Sequence, residues 1–566
     1  MSEQNYPWLK TYPAKPGWSL DIPDKTMIEA FRETIARKPN ATAMDFLGKT
    51  YTWAELGKSV DKFAAGLQAL NIGKGQKVGI FLPNCPLFLI AYYGIMHAGA
   101  TVVNYNPLYA SGELKHQIED SETDMLITLD LAALYPKAHE MLESTRLKRL
   151  VIGNFTDMLS FPKNILFPLL KAKDVAKPDW NDERIVKLSD FLNNSGSYVP
   201  PVINAAEDIA VLQYTGGTTG IPKGAMLTHR NIYANAVQCF VNFPDEQEHY
   251  KMLAILPMFH VFAMTVTLNV PVLGGFEIVT IPRFDLGQSL QAITKAKPQF
   301  MAAVPAIFNA MNNHAQIAKY DLSSLQFCIS GGAALPVEVK KSFEAKTSCI
   351  VVEGYGLTES SPVTNVNPPF GENVAGSIGL PLPNTIIEII NKDDKVTPMA
   401  LGDRGEVCIR GPQVMKGYWK NKEATDDVLR PTGDGDYRLH TGDIGIMDAN
   451  GYTYIVDRIK DMIITNGYNV YPRNIEEKIY EHPAVEECIV AGLEHSQRGE
   501  IVKAWVKLKP GMVLTDWELT QFLEDKLSKM EMPKIIEFRK DPLPKTMIGK
   551  LSRKDVVAQE LGTRQT

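Results

Sequence analysis

Residues 214–224 read YTGGTTGIPKG. Thr215, Gly216, Gly217, Thr218, Thr219, Gly220 and Lys223 combine a pliable backbone, three hydroxyls and one positive charge. Glycines let successive N–H groups turn toward an anion, and threonine and lysine add donors, so the run suits a phosphate. It is not a Walker A loop, because no Gly-Lys-Ser/Thr closes it before a helix. The other reading is a surface turn, which needs one or two glycines and gains nothing from the threonines and lysine.

A phosphate loop needs rigid elements beneath it. Residues 209–213 read as the strand that delivers this one. Upstream, Thr52 and Glu55 form a capping-box pair that opens an amphipathic helix to about residue 70. Stretches 78–81, 101–103 and 125–128 read as buried strands separated by helices, one of which opens at Ser111. The pattern restarts near residue 252, with strands at 278–281, 300–304, 327–329 and 350–352. Strands spaced by helices imply parallel βαβ units, with functional residues at the strands' C-terminal ends. From residue 406 the strands become short and alternating. After residue 460 come a strand at 502–508, a Thr515/Glu518 capping box, a helix to about residue 530 and a lysine-rich tail. The expected class is α/β: a large N-terminal domain (1–459) of two doubly wound layers plus a short-stranded β subdomain, then a small α+β C-terminal domain (460–566).

The chain has 566 residues, too many for one compact core. Hydrophobic content of 45% and charged content of 22% are ordinary for a globular protein, and a net charge of −6 argues against nucleic acid as a partner. Six scattered cysteines fit a reducing compartment and no zinc site. No stretch reads as a secretory signal or reaches the roughly 20 apolar residues of a membrane span, so a cytoplasmic protein is expected. FPKNILFPLL at 161–170, followed by KAKDVAK, suits transient contact with the surface of the inner membrane. A docked loop is the alternative, and a homodimer is left open.

The 214–224 run resembles the signature loop of adenylate-forming enzymes: acyl-CoA synthetases, peptide-synthetase adenylation domains and luciferases. Such enzymes bring a carboxylate to the α-phosphate of ATP, so they must hold ATP, neutralise its charge and exclude water. EGYGLTES at 353–360 resembles the adenine and metal motif, with Glu353, Gly354, Tyr355 and Gly356 forming the slot. The resemblance implies that Tyr355 stacks on adenine, Thr358 meets the α-phosphate and Glu359 holds Mg²⁺, a hard cation suited to a carboxylate. SGGAAL at 330–335, with Gly331, Gly332 and Ala333, resembles the opposite wall. HTGDIG supplies Asp443 for the ribose hydroxyls, VDRIKD supplies Arg458 for ribose or phosphate, and Lys460 falls at the hinge position. PKTMIGKLSR places Lys550 on the catalytic lysine. The resemblance also implies that the small domain rotates between two half-reactions. Lys550 closes on ATP in one pose, and TNGYNVYP, with Gly467, lines a tunnel for the coenzyme A thiol in the other.

PMFHVFAMTV places His260 at the acyl pocket, where the resemblance implies that it gates access of coenzyme A; a core histidine is the other reading. The expected pocket wall is Val261, Phe262, Val304, Pro305, Ala306 and Ile307. No charged residue among them could pair with a second charge on the acid, so the acid should be apolar apart from its carboxylate. The chain is most similar to bacterial long-chain fatty-acid–CoA ligases, from PWLKTYP through VVNYNPLY to the end. VPAIFN at 304–309 departs from relatives and leaves tail length open. The expected reaction is ATP-dependent formation of acyl-AMP and pyrophosphate, then transfer to coenzyme A with release of AMP. The alternatives are a medium-chain or aryl acid–CoA ligase, or an acyl-AMP ligase that loads a carrier protein.

Overall fold

The computed structural model describes residues 6–215, 222–243, 249–495, 498–546 and 549–564. Two sheets of mainly parallel strands dominate the first 381 residues. The seven-stranded sheet runs, in spatial order, Ile185–Lys187, Arg149–Gly153, Met125–Leu129, Lys77–Ile80, Thr101–Asn104, Ile209–Thr215 and Lys223–Thr228. All of its pairs are parallel except the last. Its central strands are buried throughout because helices cover both faces, which is why they read as unbroken apolar runs. Trp53–Ala69 is one of the flanking helices, and its N-terminus carries the Thr52/Glu55 capping box expected from sequence.

The nine-stranded sheet centres on the parallel strands Ile350–Gly356, Phe327–Ser330, Phe300–Ala303, Lys251–Ala254 and Glu277–Thr280. Beyond Glu277–Thr280 lies an N-terminal hairpin, Thr42–Phe46 and Lys49–Thr52. This crossover joins strands more than 200 positions apart, which local periodicity does not signal. The two doubly wound layers match the sequence expectation, with the hairpin as an addition.

Residues 386–458 form a five-stranded antiparallel sheet, and a second five-stranded sheet occupies residues 463–539. Between them, Ile459–Asp461 makes a single 3-10 turn. The second sheet has its own core around Ile475, Val490, Val506 and Leu519. Its Asp516–Glu524 helix has the expected Thr515/Glu518 capping box but ends well before residue 530. Ser528 and Glu531 bond to each other's backbone there, a local turn that competes with helix.

Candidate active site

The phosphate-type run lies between the last two strands of the seven-stranded sheet. Register pairs Thr215 with Lys223 across an antiparallel hairpin. Gly216, Gly217, Thr218, Thr219 and Gly220 lie outside the described residues. Lys223 sits with Nζ 5.2 Å from the Tyr418 ring centre. Tyr418 in turn donates its hydroxyl to Glu359 Oε1 at 2.5 Å. Burial and the Glu359 charge both push the Tyr418 phenol up, so it remains a donor at neutral pH. The 415–419 segment is strapped to the hairpin by Met226 N–H to Gly417 O (2.8 Å) and Trp419 N–H to Gly224 O (2.7 Å). Tyr418 was not singled out from sequence; GYW is an ordinary turn signal, and only this long-range pairing gives it a place in the site.

One cavity of about 1950 Å³ opens at the C-terminal ends of Ile209–Thr215, Phe327–Ser330 and Ile350–Gly356. A single ligand site typically occupies about 300–1,000 Å³, so this volume exceeds that of one site. Its wall includes Thr215, Gly331, Gly332, Ala333, Glu353, Gly354, Tyr355, Gly356, Thr358 and Glu359. Asp443, Arg458, Lys460 and Lys550 face it from the other side. Gly356 is dictated by packing: a Cβ there would stand 2.0 Å from the Pro362 carbonyl oxygen. Glu353 is buried and accepts N–H bonds from Leu335 and Gly376, both at 3.3 Å. Burial pushes its carboxyl up, while the two N–H bonds and the nearby Arg473 and Lys340 charges oppose that shift. Glu353 therefore ties the 331–335 wall to the floor.

Asp443 is the hub of the opposite side. Its Oδ2 accepts the Tyr355 hydroxyl at 2.5 Å and its Oδ1 pairs with Arg458 Nε at 3.0 Å. Each oxygen keeps a further lone pair for a diol. Facing registers on adjacent antiparallel strands place Asp443 opposite Arg458. The turn that presents Asp443 is pinned from behind by buried Glu406. Glu406 Oε1 accepts from Gly442 N at 2.9 Å and its Oε2 bonds His440 Nδ1 at 2.8 Å. Burial alone would raise the Glu406 carboxyl, but these two bonds outweigh it and hold it below its usual range. Glu406, Cys408 and His440 offer ligand-type atoms within 4.8 Å of one another. The 2.8 Å contact is a hydrogen bond, tighter than two donors would stand around a shared zinc ion with bonds of about 2.0–2.2 Å. Sequence reasoning missed Glu406, because a glutamate in a short strand reads as an exposed position.

Lys550 reaches the cavity from the C-terminal segment. Thr546 N–H bonds Lys550 O at 2.6 Å, and Lys550 N–H bonds Thr546 Oγ1 at 3.2 Å. A Cβ on the adjoining Gly549 would lie 3.4 Å from Val304 Cγ2, so the loop rests on Val304. Burial, with Arg458 adding to it, lowers the Lys550 ammonium to about 8. Arg553 fixes the loop's base through Glu476 (2.6 Å) and Asp461 (3.2 Å), with Asp457 at 3.6 Å. Lys460 lines the same cavity, and burial lowers its ammonium as well. Gly467 is elsewhere. It is exposed at the tip of the Ile463–Thr465/Tyr468–Val470 hairpin and is not part of the cavity wall in this conformation. Its φ of +79° accounts for a glycine by backbone geometry alone.

The apolar end of the cavity is built around His260. Its Nδ1 accepts the Phe262 N–H at 3.3 Å, and burial holds the imidazole down at about 4, so it is neutral near pH 7. Val261–Ala263 runs into a π-helical turn, Met264–Asn269, a form that recurs at functional sites. Val261, Phe262, Pro305 and Ala306 line the cavity as expected, but Val304 and Ile307 do not. The helical period of Pro305–Asn312 turns Pro305, Ala306 and Asn309 to the cavity and buries Ile307, Phe308 and Met311 in the core. Val304 precedes that helix and supports the Lys550 loop instead. The deep wall comes from residues not foreseen: Cys239, Phe243, Val266, Phe327 and Ile329. They come from a helix, the turn after it, the π-helical turn and a strand, which only the fold brings together.

These elements and this cavity define an adenylate-forming architecture, and similarity to known proteins agrees. Residues 31–419 match the AMP-binding enzyme family, and residues 474–550 match the AMP-binding enzyme C-terminal domain. The chain belongs to the AMP-binding enzyme family. It is 43% identical over 559 residues to a long-chain-fatty-acid–CoA ligase of Bacillus subtilis (strain 168), covering 98% of each chain. A long-chain-fatty-acid–CoA ligase of Escherichia coli O157:H7 is 36% identical, covering 97% of each. Among solved structures, ATP-bound MatB from Rhodopseudomonas palustris superposes with a TM-score of 0.81 at 26% identity, over 95% of this chain and 99% of that one.

Proposed function

We propose that this protein is an AMP-forming long-chain-fatty-acid–CoA ligase. The observation that carries the reading is one cavity with two characters. Tyr355, Asp443, Arg458 and Lys550 supply polar lining, and the same wall carries the buried apolar side chains of Cys239, Phe243, Val266 and Phe327. A nucleotide fits the first and an alkyl chain the second, with the carboxylate between them.

In the first half-reaction a carboxylate oxygen attacks the α-phosphorus of ATP. The new acyl–phosphate bond forms as the bond to pyrophosphate breaks. Tyr355 stacks on adenine, Asp443 receives the ribose hydroxyls, and Arg458 and Lys550 face the negative charge that gathers at phosphorus. Lys223 and Thr215 take the outer phosphates. The hard oxygens of Glu359 and Thr358 suit Mg²⁺, which when bound would neutralise phosphate charge. Tyr418 orients Glu359 for that task. Neutral His260 stands at the acyl pocket, where it gates access of coenzyme A without adding a charge.

In the second half-reaction the thiolate sulfur of coenzyme A attacks the acyl carbonyl carbon and AMP leaves. Lys550 has no part in this step. The chain divides at Lys460 into units 1–459 and 460–566, and rotation about the 459–461 turn withdraws Lys550 and brings the Gly467 hairpin to the cavity. A substrate that partitions into membranes supports a cytoplasmic protein in transient contact with the inner membrane.

The test is coenzyme A-dependent AMP release with ATP, Mg²⁺ and acids from acetate to stearate. AMP and acyl-CoA should peak between laurate and stearate. A peak at aryl or short acids would refute the pocket reading. Acyl-AMP that accumulates and never passes to coenzyme A would favour carrier loading.

A further inference from the structure

Among the described α-helices, Lys163–Leu170 stands apart in having no buried residue. Around it, Phe161 is 78% exposed, Leu169 71% and Leu170 75%, with Ile165 and Leu166 also exposed. At about 100° per residue, Ile165, Leu166, Leu169 and Leu170 fall within one side of the helix. Phe167 turns inward, its ring 5.0 Å from that of Phe155, and Asn164 beside it is also half-buried. Lys163 anchors the start by bonding the Leu47 carbonyl at 2.5 Å. The helix is thus pinned to the body on one side and offers a continuous apolar face on the other. An exposed apolar patch of this kind marks an interaction site.

Charge chooses the partner. Residues 161–177 hold four lysines (163, 171, 173 and 177) against one acid, Asp174, in a chain whose net charge is −6. All four lysines are exposed. A basic rim around an apolar face matches a bilayer with anionic headgroups: lysine stems run along the apolar zone while the ammonium groups stay at headgroup level. Lys163 is held to the body, so the rim that faces outward is Lys171, Lys173 and Lys177, which complements anionic headgroups.

The geometry points to Phe161–Leu170 as a bilayer-docking helix, with Lys171, Lys173 and Lys177 reading anionic headgroups. It deepens the fatty-acid reading above and rests on it for purpose, since a long-chain acid partitions into membranes. Its test does not depend on that reading.

The full chain is co-sedimented with phosphatidylcholine vesicles and with phosphatidylcholine–phosphatidylglycerol vesicles at about 2:1, where each lysine near the surface contributes about five-fold to binding. Two variants are compared, Phe161→Ser/Leu169→Ser/Leu170→Ser and Lys171→Gln/Lys173→Gln/Lys177→Gln. Wild type should prefer the anionic vesicles. The serine variant should lose at least ten-fold on both compositions. The glutamine variant should lose on the order of 10- to 100-fold on anionic vesicles and little on neutral ones. Both variants should melt with wild type and release AMP from dispersed octanoate at the wild-type rate, because none of these side chains is buried or lines the cavity. Equal vesicle binding by wild type and both variants overturns the proposal, as does a wild type that binds neither vesicle. A serine variant that changes sedimentation mass but not vesicle binding reassigns the face to self-association. Failure of the ligase reading would appear separately, as no AMP release by wild type with any acid.

Discussion

Replacing Lys550 by alanine should split the two half-reactions. Its ammonium is held in the cavity at a cost, since burial and Arg458 bring it from 10.5 to about 8. That corresponds to roughly 3 kcal/mol against the charged form in the empty site. A phosphate at about 4 Å returns about 4 kcal/mol at an effective dielectric of 20. The charge is therefore worth having only when the nucleotide is present, which makes the interaction selective for the loaded site. Removing it should slow acyl-AMP formation about 10²- to 10³-fold. Thioester formation from supplied acyl-AMP should stay within about three-fold of wild type if, as proposed, this step proceeds with Lys550 withdrawn. The assay pairs pyrophosphate release from palmitate and ATP with acyl-CoA formation from synthetic palmitoyl-AMP. An equal loss in both steps would refute the reasoning, and so would an adenylation loss below about ten-fold. A melting curve guards against trivial unfolding; the loop's contact with Val304 runs through Gly549, which the variant leaves in place.

Four further outcomes follow from the same geometry. Lysine is charged below its pKa, so kcat/KM for ATP in adenylation should fall as pH rises through about 8, and Lys550→Arg should move that limb upward; an unmoved limb assigns it to another group. Glu406→Gln keeps an acceptor for Gly442 but loses the charge facing His440, so KM for ATP should rise about five-fold with kcat nearly unchanged, measured by steady-state kinetics. Ile329→Phe narrows the apolar arm and should lower kcat/KM for stearate about ten-fold relative to octanoate; a uniform loss would place Ile329 outside the acyl path. Gly467→Leu should slow transfer to coenzyme A and spare adenylation, and Gly467→Ala, which carries the same backbone strain, separates strain from blockage of the thiol path.

Local signals served wherever a motif is contiguous and its chemistry is set by residue type. The 214–224 run, EGYGLTES, HTGDIG and PKTMIGKLSR could be read directly, as could the helix–strand alternation and the Thr52/Glu55 and Thr515/Glu518 caps, because capping and βαβ spacing act over short separations. The pocket wall was harder. From sequence, 304–307 read as one apolar stretch, but helical period sends Pro305 and Ala306 to the cavity and Ile307 to the core. Likewise the N-terminal hairpin joins a sheet whose neighbouring strand lies more than 200 residues away, and nothing local announces such a pairing.

The sequence by itself thus determined that the chain belongs with adenylate-forming enzymes, and it put forward the residues that would hold phosphate, a diol and a hard cation. Only the tertiary structure decided the partners that tune those groups. Tyr418 reaches Glu359 and Glu406 holds the Asp443 turn through cross-strand pairing, while Cys239, Phe243 and Ile329 meet in one apolar arm from distant elements. The physical reason is that residue type and short spacing fix what a group can do, whereas burial, register and packing fix what it stands beside.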